Sequence, residues 1–114
     1  MKERTKAHAN RVVKLCVALP NNWIARILGQ QFLRSGTSVG ANYRAVCRAK
    51  SNADFINKLR VVEEECDESL FWMELLVDNS FVKPSRLASL MKEADEILAI
   101  VVSSAKTART SRGA

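Results

Sequence analysis

The chain is poor in everything that breaks or branches a fold. Its 114 residues include two prolines and four glycines, too little turn chemistry for a protein of many short strands. No apolar run approaches the roughly 20 residues that span a bilayer. The charged start Met1-Lys2-Glu3-Arg4 has no apolar signal region behind it, and Lys14 interrupts the mildly apolar stretch 12–19. A cytoplasmic location with no membrane partner is therefore expected. There is one histidine, His8, and three cysteines, Cys16, Cys47 and Cys66, far apart and without a C-x-x-C pair. Zinc needs ligand pairs at short spacing. No metal site or cofactor is expected, and the thiols read as buried or half-buried.

What remains is a chain that is 47% hydrophobic, enough for one core in one domain. Its net charge of +6 is unevenly spread. Residues 1–50 carry ten bases and one acid, residues 51–100 five bases and eleven acids, and residues 101–114 three bases. A cationic half followed by an anionic one admits internal pairing, head-to-tail self-assembly, or a basic face for nucleic acid.

Periodicity predicts four helices. Thr5, His8, Val12, Leu15, Cys16 and Leu19 recur at helical spacing over about 3–19, where Pro20-Asn21-Asn22 breaks the row. A second helix is expected from Asn22 to about Ala49, apolar on one side of its first half through Ile24, Ile27, Leu28, Gln31 and Phe32. Its segment Ser35-Gly36-Thr37-Ser38-Val39-Gly40 keeps the helical phase, and its small face allows another backbone close. Ser51 and Asp54 resemble a capping box that opens a third helix. Phe55, Leu59, Val62, Cys66, Ser69, Met73 and Leu76 then form a heptad seam. A fourth helix is expected from Pro84 to about 107, on Leu87, Leu90, Met91, Ala94, Ile97, Leu98, Val101 and Ala105. The expected architecture is all-α: an antiparallel up-and-down four-helix bundle over residues 1–107, with 108–114 as a basic frayed tail. Unequal helices leave part of the long pair uncovered, a natural place for self-association.

Three strings carry a resemblance. They are Leu33-Arg34-Ser35-Gly36-Thr37-Ser38-Val39-Gly40-Ala41-Asn42-Tyr43, then Ser51-x-x-Asp54-Phe55-x-x-Lys58-Leu59, and Glu63-Glu64-Glu65-x-x-Glu68-Ser69-x-Phe71-Trp72-x-Glu74-Leu75-Leu76. The chain resembles the bacterial four-helix bundle proteins first described as encoded in intervening sequences of large-subunit ribosomal RNA genes. Accessory variability proteins of diversity-generating retroelements are distant relatives. The resemblance implies a bundle that assembles into a ring, a pentamer, with no established catalytic activity. In the retroelement relatives it implies a basic surface for nucleic acid. The chain departs from the pattern at Arg44-Ala45, where family members often carry Glu-Gly.

Several residues stand out as candidates. Lys2, Arg4, Lys6, Arg11 and Lys14 crowd positive charge onto a short helix and are the candidate nucleic-acid contacts, acting on phosphates since helix one offers little aromatic surface. The acids Glu63, Glu64, Glu65, Asp67 and Glu68 lack the histidines of a di-iron bundle. They read as ion-pair partners, with Arg34 expected to meet Glu64 or Glu68, within the subunit or across an interface, or else as a solvated face. Ser35, Thr37 and Ser38 lack the phosphate-loop pattern and a nearby base, so helix packing is expected of them. Most large aromatics read as core, and Trp72, beside the seam rather than on it, is the candidate intersubunit contact. An enzyme is not expected. The function read from the sequence is a ring-forming scaffold or binding module whose partner is itself. The alternative is an accessory protein that binds RNA or DNA through its basic first half.

Overall fold

A computed structural model describes residues 1–113, with side chains described through Ser111. It contains four helices: α1 (Lys2–Val17), α2 (Trp23–Val46), α3 (Asn52–Asp78) and α4 (Pro84–Gly113). Each packs antiparallel on its neighbour, α1 touches α4 lightly, and the diagonal pairs do not meet. The bundle is 52 Å long and about 20 Å across. No helix among the described residues is long and apolar enough to cross a membrane.

Local chemistry sets the helix ends. Pro20 stops α1, and the Asn22 side chain caps α2 by accepting from the Ile24 and Ala25 N–H groups at 2.9 and 3.1 Å. Ser51 caps α3 by accepting from the Asp54 N–H at 3.1 Å. The reciprocal half of the capping box is displaced by one residue: Asp54 accepts from the Lys50 N–H, not from that of Ser51, and also holds Lys58 at 2.7 Å. The α3 terminus is a Schellman turn. Phe81 N–H donates to the Leu76 carbonyl and Ser80 N–H to that of Val77, with Ser80 at φ 61°.

The core follows the predicted stripes of α1, α3 and α4, but the start of α2 is rotated from the expected face: Ile24 and Ile27 are exposed, and Ala25, Gly29 and Phe32 turn inward. Val12, Phe32, Val39, Leu59, Val62, Cys66, Met73, Leu76, Leu87, Ala94, Ile97 and Val101 are at most 1% exposed. In α3 the register differs at one point: Ile56 is buried at its start and Phe55 is only half-buried. At the other end, α4 runs six residues past the predicted 107. Ala108 is buried, and its carbonyl accepts a hydrogen bond from Asn52 Nδ2 at 2.9 Å, which ties the last turns to α3. The tail expected over 108–114 is thus helical as far as Gly113, and Ala114 lies outside the described residues.

The glycine-rich segment is unbroken helix, and the reason is α1. A Cβ on Gly36 would sit 2.8 Å from both methyls of Val12, and one on Gly40 would sit 3.2 Å from the Thr5 carbonyl oxygen. The two helices approach to a distance only glycine permits. The hydroxyls beside these glycines are satisfied inside α2. Ser35, Thr37 and Ser38 donate to the carbonyls of Gln31, Leu33 and Arg34 at 2.9, 2.7 and 2.6 Å. They serve the helix and are not aimed at a ligand.

Candidate functional site

Because α1 and α3 both pack between α2 and α4, the α1/α2 side and the α3/α4 side lie on opposite faces of the bundle. Each face has a groove, and the two differ in charge.

The α1/α2 groove is shallow and small-floored because glycine draws the helices together. One hollow of about 370 Å3 is floored by Ala9, Gly40 and Ala41 and edged by Lys6, Thr37, Arg44 and Arg48. A second, of about 340 Å3, continues along the same pair past Cys16, Gly29 and Leu33. Arg44 is one of the cations on this rim. On the opposite face, a hollow of about 330 Å3 lies between Glu63, Glu64 and Asp67 of α3 and Leu98 and Val102 of α4. The acids fall between the seam positions Val62, Cys66 and Ser69, so the helical period turns them away from the core. None of Lys6, Arg44, Arg48, Glu63, Glu64 or Asp67 forms an ion pair within the chain among the described residues.

Other charges are used internally. Arg4 donates twice to Glu93, at 2.8 and 2.7 Å, and lies 3.6 Å from Glu96. The guanidinium holds the Glu93 carboxyl below its usual range. Arg34 meets Glu68, and Glu65 at 3.3 Å. Glu68 also accepts from Trp72 Nε1 at 3.3 Å, and Arg34, with this second donor, holds it below the usual carboxylate range. Both clusters sit at the edge of the bundle and brace one helix against another.

The five basic residues of α1 therefore do not form one surface. Arg4 and Arg11 turn to α4, Arg11 donating to Ser89 Oγ at 2.8 Å. Lys6 faces the α1/α2 groove, while Lys2 and Lys14 are exposed. The antiparallel order instead collects cations from four helix ends at one end of the bundle. Exposed Lys2, Lys6, Arg44, Arg48, Lys50, Lys106 and Arg109 stand there against Glu3 and Asp54. Arg34 pairs within the chain with Glu68, and Glu65 takes the place expected of Glu64, whose side chain stays exposed.

The aromatic residues need a correction. Trp23 is 66% and Phe71 50% exposed, so neither is core. Trp23 opens α2 next to its cap, and Phe71 lies off the α3 seam, which places both outside the bundle. Trp72 is half-buried, edge-on to Phe71 with ring centres 5.1 Å apart. The thiols also separate. Cys66 is buried and Cys16 half-buried, with burial pushing them up to about 12 and about 11, but Cys47 is exposed rather than buried. The described residues contain no group of three or more His, Cys, Asp or Glu placed to hold a metal ion.

Comparison with known proteins gives a consistent picture. A crystal structure of a protein of unknown function from the S23 ribosomal protein family of Bacteroides thetaiotaomicron superimposes with a TM-score of 0.86 at 36% identity. The match covers 92% of this chain and 97% of that one. No curated protein is significantly similar. The model of the 23S rRNA-intervening sequence protein family matches residues 1–103. With four helices in this order and a solved relative superimposing over nearly its whole length, the chain belongs to the 23S rRNA-intervening sequence protein family.

Proposed function

We propose that the chain is a non-enzymatic building block that self-assembles head to tail into a closed ring, a pentamer, and acts through the assembled surface as a scaffold or binding module. The observation that carries this is uncovered apolar surface. Val17 is 82% exposed, Trp23 66%, Phe71 50% and Ile27 49%, and Val13, Ile24, Val61 and Val102 all exceed 40%. A bundle only about 20 Å across that leaves so many large side chains in water is built to cover them with a partner. α1 lies tight on α2 through the glycines but touches α4 only lightly, where Arg4 and Arg11 reach across. Unlike faces that join head to tail form a ring where the rotation between units closes, and an open filament where it does not. Light scattering on the full chain at micromolar concentration tests this reading. A mass near five times 12.7 kDa is expected, and a monomer would overturn it.

A second reading rests on the cationic end of the bundle, where Lys2, Lys50, Lys106 and Arg109 are exposed with few acids nearby. That end suits the phosphate backbone of RNA or DNA, with no sequence readout. Binding should weaken linearly in a plot of log affinity against log salt. No binding to labelled RNA or DNA at about 50 mM salt would remove it.

A further inference from the structure

The ring reading leaves open which surfaces meet, and this inference rests on that reading. We propose that the α1/α2 groove of one copy receives the α3/α4 face of the next, with Arg44 and Arg48 set against Glu64 and Asp67 across the contact.

Four observations point to this pair. The two faces are made by different helix pairs and share no helix, so they are distinct surfaces, as a head-to-tail contact requires. Their charges are complementary, Lys6, Arg44 and Arg48 on one and Glu63, Glu64 and Asp67 on the other. These charges have no partners within the chain among the described residues, whereas Arg4 and Arg34, of the same type, do. Finally, the shapes correspond. The basic groove has a floor of Ala9, Gly40 and Ala41, and the acidic face carries Val102, 43% exposed, and half-buried Leu98, which can fill such a floor. The acid–base rim fixes direction, since two copies meeting by like faces would set guanidinium against guanidinium or carboxylate against carboxylate. An acidic peptide or a nucleic acid would satisfy the basic groove alone. Only a second copy also accounts for the acidic face with its apolar edge.

Two exchanged-charge variants test the assignment: R44E/R48E, and E64K/D67K. All four side chains are exposed, so both variants should keep wild-type helicity by circular dichroism, which is measured alongside. Each variant alone sets like charges across every contact and should lose its assembled mass in light scattering. An equal mixture restores opposite charge at every contact between unlike copies and should regain a higher mass, with both variants in equal amounts by native mass spectrometry. Strict alternation cannot close an odd ring, so the mixed species should be even-numbered or open. If the wild type assembles and either folded variant retains its full mass, the assignment is overturned. It is also overturned if both variants dissociate but the mixture does not re-associate. A monomeric wild type would instead overturn the ring reading itself.

Discussion

His8 is the residue whose placement is least explained by packing alone. It is 1% exposed, and neither ring nitrogen has a hydrogen-bond partner. Burial pushes its pKa down; Glu93 opposes this and Arg11 adds to it. Because the folded pKa lies below the unfolded value of about 6.5, the unfolded chain binds the proton first as pH falls. The stability contribution of neutral His8 is therefore complete above about pH 6.5 and is lost as pH falls through the folded pKa. Urea titrations from pH 7.5 to 5 should show stability falling, and the fall should shrink in His8→Gln. Glu68 and Glu93, held below their usual range by Arg34 and Arg4, lose their contribution only at lower pH. An equal slope in wild type and His8→Gln would contradict this account. Ser80 offers a simpler case. It holds the left-handed position of the α3 Schellman turn, where glycine avoids a Cβ penalty of about 1–2 kcal/mol. Ser80→Gly should raise stability by about 0.5–1 kcal/mol after glycine's extra unfolded-state entropy is subtracted, read as an increased denaturation midpoint.

At the scale of the helix, α1 against α2 is the contact that depends most on one residue type. Gly36→Ala would gain about 1 kcal/mol of helix propensity. It would also press a methyl into Val12, whose stiff β-branched side chain is fully buried. Overpacking of this kind costs about 1–3 kcal/mol, so a net loss is expected, with α1 amides exchanging faster than those of α3. A stabilised variant would show that α1 shifts freely. This contact also shows what the sequence makes legible. The phase of Leu28, Phe32, Ser35 and Val39 carries the helix through two glycines, because apolar periodicity survives where propensity is poor. The seams of α3 and α4 follow from the same rule. The end of α4 does not. Ala108 keeps the four-three spacing after Val101 and Ala105, but the polar, basic residues around it read as a tail, and the bond from Asn52 that holds its carbonyl comes from another helix. Likewise, the charge division along the chain is plain in the sequence, but the use of each charge is not. Arg4 and Arg34 look like Lys6 and Arg44 until the rotation of each helix shows which face a carboxylate and which face solvent.

For the molecule as a whole, the uneven charge of the chain becomes a geometric property once it is folded. α1 and α2 put bases on one side, α3 puts acids on the other beside apolar residues of α4, and small residues lie beside the bases. Such a unit has direction, and direction is what a ring needs. Sedimentation equilibrium of the full chain, at about 0.1 M and about 1 M salt, tests this most directly, since exposed charges interact over about 10 Å at the first and about 3 Å at the second. The account predicts a ring mass at the lower salt and a shift toward the 12.7 kDa monomer at the higher. A monomer at both would contradict it.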